Sequence, residues 1–109
     1  MKYIDKKLTL EKVSIQNIAE KYSTPTYCYS YNQLKKNVYN FKKNFNSFNP
    51  LICFAVKSNT NLNLIKEIKK LGLGADVVSI GELMIALKAG INPKKIVFSG
   101  VGKTSNEIR

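Results

Sequence analysis

Three short apolar runs, each leading into a segment of helical periodicity, constrain the fold of this chain more than any other feature. Leu51-Ile52-Cys53-Phe54-Ala55-Val56 is an unbroken apolar run of six between Pro50 and a polar cluster. A run that short predicts a strand buried on both faces, as in a parallel sheet. Over 61–71, the spacing of Leu64, Ile65, Ile68 and Leu71 predicts a helix, and Gly72 is placed to stop it. Gly74 to Ser79 reads as a second strand, 80–89 as a helix stopped by Gly90, and Lys95 to Ser99 as a third strand. A further helix begins near Lys103. Repeated strand and helix of this kind predict right-handed βαβ units and a parallel sheet.

Upstream, the pattern is looser. Residues 14–22 read as a short helix with Ser14 in the capping position and Ile15, Ile18, Ala19 and Tyr22 on one face. After Pro25, the stretch 26–31 is rich in strand-forming residues and predicts a strand. Residues 32–48 give the clearest helix, with Leu34, Val38, Phe41, Phe45 and Phe48 along one face and Lys35, Lys36, Lys42 and Lys43 off it. Aromatics interleaved with cations can stack on single-stranded nucleic acid. Because these aromatics lie on the apolar stripe, the expectation is that they are buried core.

Composition narrows the function classes. The formal charge is +11, from 18 Lys plus Arg against 7 Asp plus Glu, yet the only Arg is Arg109. A nucleic-acid surface leans on Arg for bidentate contacts, so the charge points to lysine-rich composition rather than to a nucleic-acid partner. There is no signal-peptide-like apolar core at the start and no run near the roughly 20 apolar residues of a membrane span, which predicts a cytoplasmic protein without a membrane partner. Cys28 and Cys53 sit in apolar runs, lack metal-ligand spacing, and are expected to be buried free thiols. At 109 residues the chain is shorter than the roughly 250 of a complete eight-stranded α/β barrel.

In parallel α/β folds, chemistry gathers at the carboxyl ends of the strands. Lys57 directly ends the first apolar run, where its amine would sit at the mouth of a low-dielectric pocket, suited to a Schiff-base lysine; a plain surface lysine is the alternative. Asp76 lies inside an otherwise apolar strand, which is costly without a partner, and Lys57 on the neighbouring strand is the expected one. Glu82 follows Ser79 at capping-box spacing, so a helix-capping role explains it by itself. Gly100-Val101-Gly102-Lys103-Thr104 looks like the end of a phosphate-binding P-loop, but the required first glycine is replaced by Val97. Turn glycines ahead of a helix account for the segment.

Taken together, several of these segments resemble one family. Phe54-Ala55-Val56-Lys57-Ser58-Asn59 resembles the cofactor-lysine motif of fold-type III pyridoxal-phosphate decarboxylases. Gly74-Ala75-Asp76-Val77-Val78-Ser79 with Gly81-Glu82-Leu83 resembles the next motif of the diaminopimelate decarboxylase family in particular. Lys88-Ala89-Gly90-Ile91, Ile96 to Gly100, Gly102-Lys103-Thr104 and the lead-in Thr24-Pro25-Thr26-Tyr27 continue the likeness in order. Ornithine and arginine decarboxylases share the lysine motif but usually differ around Asp76, and alanine racemases continue differently after the lysine. Ser58 departs from the alanine often found there.

The resemblance implies a partial (β/α)8 TIM barrel, its first three βα units, preceded by an amino-terminal helix and strand. Residues 1–31 would form a segment that pairs with a carboxyl-terminal β domain, and 32–109 the front of the cofactor-binding barrel. It implies pyridoxal 5'-phosphate held covalently by Lys57, with Asp76 and Glu82 as cofactor-site residues. It further implies decarboxylation of meso-2,6-diaminopimelate to L-lysine, a small amino-acid substrate, and a homodimer. The family's glycine-rich phosphate loop, its ring-stacking histidine and the acidic partner of its pyridine nitrogen are missing; there is no His in the chain. The expectation is therefore a fragment, inactive alone. Another fold-type III amino-acid decarboxylase of ornithine or arginine type, a non-catalytic α/β remnant or binding module, and a basic nucleic-acid binder stand as the other readings.

Overall fold

A computed structural model describes all of residues 1–109 and contains two compact units, residues 1–41 and 42–109. The first unit carries an antiparallel sheet of β1 (Lys2–Ile4), β2 (Lys7–Leu10) and β3 (Val13–Ser14) in that order, followed by helix α1 (Ile15–Tyr22). Helix α2 (Tyr31–Asn44) carries the boundary between the units.

The two turns of the antiparallel sheet place Asp5, Lys6 and Glu11 in left-handed backbone, with φ of 48, 63 and 58°. Two consecutive positive φ values suit a tight turn whose twist matches the strands it joins. The cost to non-glycine residues is offset locally. Thr9, the only buried residue of this unit, donates its hydroxyl to the Lys2 carbonyl at 2.9 Å. Glu11 reaches across to the start of α2: its Oε1 accepts from Ser30 Oγ at 2.6 Å and from the Asn32 backbone N–H at 2.8 Å. Asn32 Nδ2 donates to the other oxygen at 2.9 Å. Ser30 Oγ in turn accepts the Gln33 N–H at 3.0 Å, so the two side chains share the capping of α2.

The second unit is a parallel sheet of β4 (Cys53–Ala55), β5 (Gly74–Val77) and β6 (Ile96–Phe98), connected by α3 (Leu62–Lys70) and α4 (Ile80–Lys88). Both helices end as the glycines predict. Gly72 and Gly90 have φ of 81 and 85°, and each helix closes with the paired bonds of a Schellman motif. For α3 these are Gly72 N–H to Lys69 O at 2.9 Å and Leu73 N–H to Ile68 O at 3.3 Å. For α4 they are Gly90 N–H to Leu87 O at 2.9 Å and Ile91 N–H to Ala86 O at 3.1 Å. Asn61 caps α3, accepting from the Asn63 and Leu64 amides.

Strand register sorts every sheet residue onto one of two faces. Phe54 pairs with Ala75, Ala75 with Ile96, and Val77 with Phe98; all five lie on the face that packs against α3 and α4. Val56, Ile65, Ala75, Val77 and Ala86 there are fully buried. The opposite face carries Cys53 opposite Gly74, and the row Ala55, Asp76, Val97. Val97 is 47 % exposed, so this face is open. Gly74 is required where it stands, because a Cβ would meet the Lys95 carbonyl oxygen at 2.1 Å.

Several expectations are corrected. The strand expected over 26–31 is absent: residues 26–30 pair with no strand, and Tyr27 is 89 % exposed. Strand-forming composition needs a partner edge before it becomes a strand. The antiparallel sheet instead lies in residues 2–14. The helix expected over 32–48 ends at Asn44, leaving Phe45 and Phe48 beyond it, and the apolar stripe is not buried core, since α2 buries no residue and Phe41, Phe45 and Phe48 are exposed. β4 is not buried on both faces: Cys53, Phe54 and Ala55 are all half-buried. Cys28 is exposed rather than buried, and Cys53 is half-buried. Ser14 occupies the cap position of α1 without making a side-chain cap bond. No helix is long and apolar enough to cross a membrane.

Candidate functional site

The three strands of the second unit end together, and the residues singled out for chemistry stand at that end. Lys57 is the middle residue of a single 3-10 turn, Val56–Ser58, that leaves β4. Val56 is wholly buried in the core, Ser58 Oγ donates to the Ala55 carbonyl at 2.7 Å, and the Asn59 N–H donates to the Val56 carbonyl at 3.0 Å. The turn is thus fixed on both sides of Lys57. The side chain itself is exposed and makes no hydrogen bond or ion pair. Sequence reasoning expected the mouth of a low-dielectric pocket; the open sheet face supplies no such burial.

Asp76 is the only charged residue within the three parallel strands. Its partner is not Lys57. Asp76 lies level with Ala55, and its Oδ1 accepts the Ser99 hydroxyl at 2.5 Å. The chain's only salt bridge joins Lys70 and Glu67 on α3. The sequence reading placed Ser99 at the end of the third strand, where chemistry can gather, but gave it no role of its own. Face alternation could have found it: Val97 pairs with Asp76, and Ser99 is two residues further along.

Glu82 performs the capping predicted for it in a shifted form. Ser79 Oγ accepts the Glu82 N–H at 3.3 Å, while Glu82 Oε2 accepts from the Val78 N–H at 3.0 Å, one residue before the cap. Its Oε1 remains without a hydrogen bond. Cys53 lies on the same open face, with its thiol pKa pushed up first by burial and then by the charge of Asp76. It is held as a neutral thiol, unlike an activated nucleophile. Lys103 folds back to donate to the Gly100 carbonyl and lies 5.1 Å from the centre of the Phe98 ring. That placement fits turn chemistry rather than a phosphate cradle. A groove of about 460 Å³ in the amino-terminal unit, between Leu10, Ile18, Tyr22, Tyr27 and Tyr29, contains none of these groups.

What the arrangement offers is a free primary amine on a hydrogen-bonded turn after β4 and, on the neighbouring strand, a carboxylate held by a hydroxyl. A carbonyl cofactor needs an amine not already tied up in an ion pair or hydrogen bond, so the residues present fit the aldehyde end of pyridoxal phosphate.

Residues 31–109 match the family of the pyridoxal-dependent decarboxylase, pyridoxal binding domain, and the chain belongs to that family. The chain is 46% identical over 108 residues to the diaminopimelate decarboxylase of Aquifex aeolicus, a match covering 99% of this chain and 25% of that protein. Among solved structures it is similar to diaminopimelate decarboxylase from M. jannaschi, with TM-score 0.90 and 37% identity over 98% of this chain and 26% of the other. It is also similar to the Helicobacter pylori diaminopimelate decarboxylase complexed with L-lysine, with TM-score 0.81 and 45% identity over 85% of this chain and 24% of the other. The chain thus spans about a quarter of the length of the relatives it matches.

Proposed function

We propose that these residues form the cofactor-anchoring part of a pyridoxal-phosphate-dependent carboxy-lyase that converts meso-2,6-diaminopimelate to L-lysine. The observation that carries the proposal is the unpaired Lys57 amine on its fixed turn at the carboxyl end of a parallel sheet. Close likeness to several diaminopimelate decarboxylases supports the substrate.

Lys57 Nζ holds the cofactor covalently, and Asp76 and Glu82 set the charge around it. When bound, pyridoxal phosphate supplies an electron sink for the carbanion left by loss of carbon dioxide. Asp76 presents one carboxylate oxygen tied to Ser99 and one without a hydrogen bond. Glu82 divides itself between capping α4 and the site in the same way.

The parallel sheet reads as the first three units of a (β/α)8 barrel with its open face turned inward, supported by helices on one face only. Residues 1–31 read as a segment that pairs with a carboxyl-terminal β domain; the stretch 26–30, which pairs with no strand and exposes Tyr27 and Tyr29, supports this. A homodimer and a cytoplasmic location belong to the same reading, the latter supported by two free cysteines.

Changing Lys57→Ala in the intact protein should abolish the borohydride-reducible cofactor adduct and its visible absorbance. An adduct that survived the change would place the anchor elsewhere and sink the assignment.

A further inference from the structure

Asp76 is the one charged residue of a strand otherwise built of apolar residues and glycine, half-buried on the open face of the sheet. The 2.5 Å bond from Ser99 Oγ is at the short end expected when a hydroxyl donates to an ionised carboxylate. Ser99 is itself held in place twice. Its backbone N–H continues the parallel ladder by donating to the Val77 carbonyl at 2.9 Å. The next residue, Gly100, lies so close to β5 that a Cβ would meet the Val78 carbonyl oxygen at 2.7 Å. Backbone bonds alone therefore tie β6 to β5, and the Ser99 hydroxyl is free to serve the carboxylate rather than the sheet.

We propose that Ser99 is a positioning residue: its hydroxyl fixes Asp76 through Oδ1 and keeps Oδ2 turned to the assembly of Lys57 and its cofactor. The proposal rests on the cofactor reading above and deepens it. It names a residue at the end of the third strand that acts only through a side chain of the second.

The test titrates the intact protein with pyridoxal phosphate, following the absorbance of the Lys57-linked chromophore and, separately, thermal unfolding. Ser99→Ala should weaken binding about tenfold, the loss of one hydrogen bond to a charged group. Ser99→Thr, which keeps the hydroxyl, should return binding to within about twofold of the parent on the same scale. Ser99→Ala added to Asp76→Asn should have no further effect, because the two act as one unit. Unfolding temperature should be the same for parent and Ser99→Ala. Undiminished binding by Ser99→Ala, an equal loss in the Asp76→Asn background, or a failure of threonine to rescue would overturn the proposal. If Asp76→Asn binds like the parent, Asp76 lies outside the site and Ser99 falls with it, while Lys57 stands. If the parent forms no adduct at Lys57, the cofactor reading itself is wrong.

Discussion

The two units of this chain are held together by different means. All nine buried hydrophobic residues belong to residues 42–109, whereas the only buried residue of residues 1–41 is Thr9. The carboxyl-terminal unit is a sheet with one face sealed by helices, and its cohesion comes from apolar area removed from water. The amino-terminal unit is joined by polar contacts made near the surface: a threonine across a hairpin and a glutamate across the start of a helix. The difference teaches where to place function. The unit with a packed core supports an anchored lysine, because a turn bolted to buried Val56 cannot wander.

The strongest way to break this comparison is to remove core volume. Ile65 is 0% exposed and touches the cluster around Val56, Ala75 and Val77. Ile65→Ala should cost about 3 kcal/mol in urea unfolding, within the range for buried aliphatic truncation. The matching change in the other unit, half-buried Ile18→Ala, should cost less than about 1 kcal/mol. Equal losses would mean that the amino-terminal unit depends on apolar burial as much as the other does, and that the contrast is false.

The same contrast explains what could be read from sequence. β4, α3, β5, α4 and β6 were legible because each is set by local pattern, and the two helices are stopped by Gly72 and Gly90, whose positive φ is demanded by the turn. The hairpins of residues 2–14 were not: Asp5, Lys6 and Glu11 take left-handed backbone without the Asn-Gly signal that announces such turns. The stripe on α2 was read correctly as a face and wrongly as core, because periodicity specifies which side is apolar and says nothing of what covers it. At the site, Lys57, Asp76 and Glu82 were visible one by one, but the pairing of Asp76 depends on register. Sequence proximity in the sheet suggested Lys57; the ladder places Asp76 level with Ala55, and the following turn carries Lys57 out of the strand. Ser99, aligned by parity, takes the bond instead.

A smaller effect tests the polar unit directly. The Glu11 carboxyl is held below the ordinary carboxylate range, first by the Ser30 hydroxyl and then by the Asn32 N–H, partly opposed by desolvation. A lowered pKa means the folded state favours the ionised form. Its contribution is present at neutral pH and is lost as pH falls below that range, through the lowered value. The protection of the Asn32 and Gln33 amides, taken relative to their intrinsic exchange at each pH, should therefore fall several-fold in acid, while the amides of β5 keep theirs. Glu11→Gln should show the reduced protection already at neutral pH and lose its acid dependence. Protection that fell equally in β5 would point to global loosening, not to this clasp.

The smallest effect uses one cysteine in each unit. Cys28 is exposed, while Cys53 is half-buried on the open sheet face with its pKa raised, chiefly by burial and secondarily by Asp76. Since the thiolate is the reactive form, a maleimide should label Cys28 first and Cys53 a few-fold more slowly. Asp76→Asn should speed Cys53 by removing the charge contribution, and should recover only part of the difference because burial remains. Cys28 should not respond at all. Labelling of Cys53 that ignored Asp76→Asn would mean the carboxylate does not reach across the sheet to the β4 side. That outcome would also weaken its assignment to a site centred on Lys57, since Cys53 and Lys57 flank the same short strand.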